Sequence, residues 1–264
     1  MKFSTAGSMG DSIYQTLFML EASEAVNAKL DFIHLQTNKK CSYYKAHPYG
    51  DVGLTRAAAY FLAPLFEEQG WHTTIGDNVP QDALNVDLFR ELRLNFSCGE
   101  IRTWAYQLAG MQLPMDLSRQ TLTKFTPDAS FSDKIILCKT DRYVNAFIDF
   151  NMLKPLQKKL VFLGLPKEHE DFCRDFFDVD YERCEDAKRM LDVMAGSQAV
   201  IANPCGPYAI AEMAKLKRCL LTPEFMLLDE KHITIGPVNV IPQGGDFMMC
   251  GTLSRLMAWV EQMK

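Results

Sequence analysis

The chain has 264 residues, 48% of them hydrophobic and 23% charged, with a formal net charge of −5. That is apolar material for one large or two modest cores, and the acidic balance weighs against a nucleic-acid partner, although a local basic patch stays open. Eight cysteines, at 41, 98, 138, 173, 184, 205, 219 and 250, form no CxxC or CxH pair and read as buried free thiols of a cytoplasmic protein; no leader and no run near ~18 apolar residues indicates export or a membrane span.

The chain opens on KFST, a short extended piece, followed by AGSMGD and a helical pattern over 12–28 with Ile13, Leu17, Leu20 and Ala25 on one face. LDFIHLQT then predicts a strand, Leu54 to Gln69 a helix ending near Gly70, and WHTTIGD another strand. The alternation calls for parallel α/β packing. NVDLFRELRLNF and EIRTWAYQLAG each fit a helix, PMDLS an exit loop, and TKFTPDASFSD, polar and without period, a linker.

The pattern restarts at KIILCKT. It predicts strands over KIILCKT, LVFLGL, QAVIANP and RCLLTP, separated by helices over DFNMLKPLQKK, HEDFCRDF, CEDAKRMLDVMAGS and GPYAIAEMAKL, with LSRLMAWVEQMK as a final amphipathic helix. The fold class is therefore α/β with two Rossmann-like halves, 1–128 and 129–264, the last helix free to pack on either.

Chemistry-bearing residues gather at strand-to-helix junctions. In VIANPCGPYAIAE a strand meets Cys205-Gly206-Pro207 and a helix, whose N-terminal N–H groups suit a phosphate or diphosphate; Glu212, nearly two turns in, could accept from a ribose diol. The same residues also read as an ordinary turn and a solvated helix acid, because such junctions occur in every doubly wound sheet. In CKTDRYVN, Lys139 and Arg142 could grip a diphosphate, with Tyr143 and Asn145 adding hydrogen bonds, or the segment is a solvated loop. Glu168, in the first turn after LGLPK, reads best as a partner of the helix dipole, and His169 as structural or solvated. Asp11 is the sharpest candidate: in a cleft it could take a proton from an attacking hydroxyl, whereas its plain role is a helix cap. No metal-ligand spacing is present, so no metal is expected.

GSMGD of 7–11, LGLPKE of 163–168 and NPCGPYAIAE of 203–212, in that order, resemble glycosyltransferase family nine, the ADP-heptose:lipopolysaccharide heptosyltransferases and their shorter relatives, which have the GT-B fold. The C-terminal half carries most of the likeness. The resemblance implies a GT-B architecture with a central cleft and Asp11, in the loop with Ser8, Met9 and Gly10, as base in an inverting, metal-independent transfer. It also puts Glu168 near the donor nucleoside, Asn203, Cys205, Gly206 and Pro207 on the diphosphate loop, and Glu212 on the ribose. The chain departs from the family at Pro204, where the family has Asp, and at Ala209, where it has His, so the donor is assigned only as a nucleotide-diphosphate sugar. The expected function is transfer of a sugar to an acceptor hydroxyl on a glycan, metabolite or other compound, without a cofactor. A non-catalytic nucleotide-sugar binding module, or a hydrolase or epimerase of sugar nucleotides, are the alternatives.

Overall fold

The computed structural model describes residues 1–40, 52–88, 100–112, 117–141, 143–146, 148–222, 240–251 and 253–261. Two parallel sheets organise the chain. The first takes β1 (Lys2–Thr5), β2 (Phe32–Gln36), β3 (His72–Gly76) and β4 (Leu84–Asn85) in the order β3-β2-β1-β4. Helices α1 (Met9–Tyr14) and α2 (Thr16–Ala25) connect β1 to β2, and α3 (Arg56–Glu68) precedes β3. Phe3 pairs with Ile33 on one side and Leu84 on the other, so β1 is interior and apolar. A short 3₁₀ turn, Ile101–Thr103, leads into α4 (Trp104–Ala109), which ends at Gly110 with φ 64, the left-handed C-cap that glycine adopts without penalty.

The second sheet contains β5 (Ile135–Cys138), β6 (Leu160–Phe162), β7 (Asp180–Tyr181), β8 (Ala199–Ala202), β9 (Arg218–Leu221) and β10 (Phe247–Cys250), ordered β10-β9-β8-β5-β6-β7. Counted from β5, that is the 3-2-1-4-5-6 order of dinucleotide-binding sheets, whose direction of winding reverses between β5 and β8. Between the strands run α5 (Pro166–Asp175), α6 (Ala187–Gly196) and α7 (Gly206–Met213), and α8 (Leu253–Glu261) follows β10. α8 packs on β10 and on the 3₁₀ segment Phe150–Lys159, which settles it on the second sheet. The helix expected over 149–159 forms as that 3₁₀ segment, because Pro155 has no N–H to give and its ring crowds the preceding turn.

Helix α1 packs on α7 and α3 on α6, so these four helices form the layer between the sheets. One apolar core runs through that layer, taking Ile13 and Leu17 from α1, Leu62 and Phe66 from α3, Met190 and Leu191 from α6 and Ala209 and Ile210 from α7. A second core, built on Leu137, Phe162, Phe172, Ile201 and Trp259, fills the far face of the second sheet. Asp128, at the boundary between the halves, docks on α6: its N–H donates to Asp192 O, and its carboxylate, held down to about 2 by Ser130 and Arg189, pairs with Arg189 at 2.6 Å. Among the described residues no helix is long and apolar enough to cross a membrane.

Candidate functional site

Open α/β sheets bind ligands beyond the carboxyl ends of their strands, at the point where the winding reverses. Each sheet here has such a point, and a glycine turn stands at both. In the first, β1 ends at Thr5 and the turn Ala6-Gly7-Ser8 feeds α1; in the second, β8 ends at Ala202 and Asn203-Pro204-Cys205 feeds α7. Because α1 lies on α7, the two turns meet. A Cβ built on Gly10 would stand 3.7 Å from Cys205 O and 3.7 Å from Ala209 Cβ, and one built on Gly206 would fall 1.8 Å from Met9 Cε. At Gly206 the approach depends on the missing side chain, because the tip of Met9 takes that space; at Gly10 a methyl would make an ordinary contact.

Asp11 occupies the third position of α1 and is buried. Its Oδ2 accepts the Ser8 N–H at 3.2 Å, and its carbonyl accepts the Gln15 N–H, so it caps the helix it belongs to. Met9 and Gly10 from the first half therefore adjoin Cys205 and Gly206 from the second, with Ser8 and Asp11 next to them in the chain. Pro207 takes the second position of α7, where no N–H is required. Burial pushes the Cys205 thiol up to about 12, the Tyr208 backbone pulling the other way, so it remains a neutral thiol at the helix entrance.

Lys139 and Tyr143 line a shallow pocket at the end of β5, together with Thr140, Val144, Asn145 and Asn203. Lys139 stands 4.0 Å from Asp141. Tyr143 has φ 59, a left-handed backbone uncommon for a bulky residue and a mark of a constrained turn. Arg142 lies outside the described residues. The asparagines are committed to the framework. Asn203 Nδ2 donates to Thr140 O at 3.0 Å while its Oδ1 accepts the Thr140 N–H at 3.1 Å, tying the β5 exit to the β8 exit. Asn145 Nδ2 donates to Thr222 O and Gly251 O, binding the ends of β9 and β10.

Glu168 accepts the Leu165 N–H at 2.9 Å, the cap of α5, and burial holds its carboxyl above the ordinary range against the pull of that N–H. His169 stacks on Tyr181 at 4.8 Å and contacts Val179 O through Nε2, the structural placement expected of it. Among the described residues no group of His, Cys, Asp and Glu gathers to hold a metal ion.

Glu212 is placed away from the turns. It is 0% exposed, and its oxygens accept from Arg102 Nη1 at 2.9 Å, Lys215 Nζ at 2.9 Å and Arg218 Nε at 2.6 Å. Arg102 also donates to Glu100, Leu117 O and Ile241 O, and Arg218 to Gln243 O and Gly244 O. Such a cluster fixes the register of three chain segments against α7. Burial raises the Glu100 carboxyl to about 7 against the pull of Arg102, and its Oε2 has no hydrogen-bond partner.

One residue at the glycine turns gave no signal in the sequence. Asp87, two residues beyond β4, is fully buried and its carboxylate accepts the N–H groups of Ala6 and Gly7. Its neighbours in the chain, Val86 and Leu88, suggest only a helix, and its partners lie some 80 residues upstream.

By sequence the chain matches no family model and no curated protein. By fold it is similar to the E. coli heptosyltransferase WaaC solved with ADP, at 13% identity and a TM-score of 0.54 over 99% of each chain. The same enzyme with ADP-2-deoxy-2-fluoro heptose aligns at 12% identity and a TM-score of 0.52 over the full length of both. The glycosyl transferase family 9 protein of Veillonella parvula DSM 2008 aligns at 13% identity and a TM-score of 0.54, over 99% of this chain and 88% of that one. The architecture is thus the GT-B type, two Rossmann-like sheets joined in one chain.

Proposed function

We propose that the protein is a glycosyltransferase of the cytosol, moving a sugar from a nucleotide-diphosphate donor to an acceptor hydroxyl with inversion and without a metal. Residues 129–264 form the donor side and 1–128 the acceptor side in this reading. The observation that carries it is the meeting of the two glycine turns, Met9 and Gly10 of the first against Cys205 and Gly206 of the second, with Asp11 one residue further along α1. The N-terminus of α7, with its partial positive charge, would take the diphosphate, and Lys139 would share the charge that develops as the diphosphate leaves. Asp11 would accept the proton of the attacking hydroxyl, with Ser8, Met9 and Gly10 shaping the approach. Holding both reactants across this mouth replaces a bimolecular encounter by an oriented one. Tyr143 would extend the donor side, and Glu168 would stand near the nucleoside. Glu212, Asn145 and Asn203 serve as its framework rather than as its contacts, because their polar atoms are taken by the protein itself. The ADP held by the E. coli neighbour makes ADP the first diphosphate to try.

Asp11→Asn tests this reading. The thermal shift given by UDP, ADP, GDP or CDP should persist, since it reports the other half, while release of nucleoside diphosphate from the matching sugar donor falls by about 100-fold or more, the lower range for loss of a general base. Unchanged turnover removes Asp11 from the mechanism, and no shift with any nucleotide removes the donor site.

A second reading, a nucleotide-sugar binding module without chemistry, draws on one observation: Met9 lies over Gly206, on the face a diphosphate would approach. Binding without nucleotide release across the same donors would favour it.

A further inference from the structure

The turn that carries Asp11 is not self-supporting. Ala6 and Gly7 leave β1 with their N–H groups turned inward, where no strand partner remains for them, and a buried N–H without an acceptor is costly. Asp87 supplies the acceptor. Its Oδ2 takes the N–H of Ala6 and, at 3.0 Å, that of Gly7, and its Oδ1 takes Gln15 Nε2 at 2.9 Å. The Thr5 hydroxyl lies 3.0 Å from Oδ2 and 2.6 Å from Gln15 Oε1, closing a ring of side chains under the turn. Asp87 is itself held, its N–H donating to Asn85 Oδ1 at 2.9 Å. From the other side Ser12 Oγ donates to Gly7 O at 3.1 Å. The next N–H along the turn, that of Ser8, is the one that meets Asp11 Oδ2. The orientation of the Asp11 carboxylate thus depends on the Ala6–Ser8 backbone, and that backbone depends on a carboxylate delivered by β4 across the reversal point of the first sheet.

We propose that Asp87 is the positioning residue of this site: it fixes the Ala6–Ser8 turn and, through the Ser8 N–H, sets the orientation of the Asp11 carboxylate. The catalytic meaning of this rests on Asp11 being the general base. What the turn needs from residue 87 is an acceptor of the right shape, more than a negative charge. An asparagine there keeps an oxygen for the two backbone N–H groups, and its amide meets Gln15, which can turn its own amide over to present Oε1. An alanine leaves both N–H groups buried and unmet.

Three variants separate the cases: Asp87→Ala, Asp87→Asn and Asp11→Asn, each as the full chain. Amide hydrogen exchange is read at residues 6–8 and, as an internal reference, at the amides of 205, 206 and 208; turnover is read as nucleoside diphosphate released from UDP-, ADP-, GDP- and CDP-sugars. In Asp87→Ala exchange at 6–8 accelerates at least about tenfold while the reference amides keep their rates. The kcat falls by about 100-fold, as for a reacting group misplaced by about an ångström, with donor KM within about twofold. Asp87→Asn restores protection at 6–8 and roughly a third or more of wild-type kcat, because the acceptor survives. If Asp87→Ala does not accumulate folded, Gln15→Leu, which unseats the carboxylate from one side, is read in the same way for a smaller loss.

Unchanged exchange at 6–8 in the alanine variant overturns the positioning role whatever the turnover. Equal loss in Asp87→Ala and Asp87→Asn also overturns it, since charge and not geometry would then matter. Full turnover in Asp11→Asn overturns instead the general-base reading, and is told apart from failure of the positioning role by the exchange data, which do not depend on activity.

Discussion

The two glycine junctions share a local plan, strand, turn and helix with an acid following, yet the acids end in opposite settings. Asp11 is the third residue of α1 and caps it; Glu212 is the seventh of α7. At about 1.5 Å of rise per residue, six residues carry Glu212 about 9 Å along the axis from the N-terminus of its helix. Its side chain meets Arg102, Lys215 and Arg218 in the interior instead. The loops are also held differently. The first is held by a carboxylate arriving from β4, the second by an amide, Asn203, bridging to Thr140. An acid after a glycine turn thus serves the turn only when it falls in the first helical turn; deeper in, its surroundings decide.

The largest effect that separates the two acids is on stability. Glu212→Gln removes the anion from three buried cations and is expected to cost about 3–5 kcal/mol in urea unfolding, the range for breaking a buried ion pair from one side. Asp11→Asn, which keeps the cap acceptor, is expected to cost no more than about 1 kcal/mol. If the two losses came out equal, the division into a framework acid and a site acid would fail.

Next in size is a pH effect of the same cluster. Burial raises Glu100 from 4.5 to about 7, so the folded state holds this proton more tightly than the unfolded chain. The contribution is complete below the ordinary carboxyl range and is lost as pH climbs to about 7, for a total of about 3 kcal/mol from this one group. Glu100→Gln should flatten that part of the stability–pH profile. A variant with the wild-type slope between these pH values would assign it to other groups.

Much of the fold was legible because its signals are local. The runs IILC, LVF, AVIA and RCLL are short and apolar, end in Gly, Pro or polar residues, and form β5, β6, β8 and β9. The turns at Gly10 and Gly206 were legible for the same reason. What escaped was set by distant partners. β4 and β7 have two residues each and exist only because β1 and β6 pair with them. β10 follows a proline and two glycines and is exposed at Phe247. Asp87 sits in a stretch whose spacing suggests a helix, and the distance of Glu212 from Gly206 does not reveal the phase of α7 against the core. Neither phase nor a contact across 80 residues is written in a local pattern.

The smallest effects test how closely the two turns approach. An added Cβ at Gly10 meets its neighbours at 3.7 Å, an ordinary contact, so Gly10→Ala should lie between neutral and about 1 kcal/mol more stable, as alanine restricts the unfolded chain. At Gly206 the same methyl falls 1.8 Å from Met9 Cε. Met9 must then move, an overpacking expected to cost about 1–3 kcal/mol. The obstruction is the tip of a flexible side chain, so shortening it should relieve the strain: in a Met9→Ala background, Gly206→Ala should lose most of its cost, a coupling measured by a double-mutant cycle. Additive losses would mean that the α7 turn resists the methyl on its own account and that the halves are less closely apposed than Met9 and Gly206 indicate.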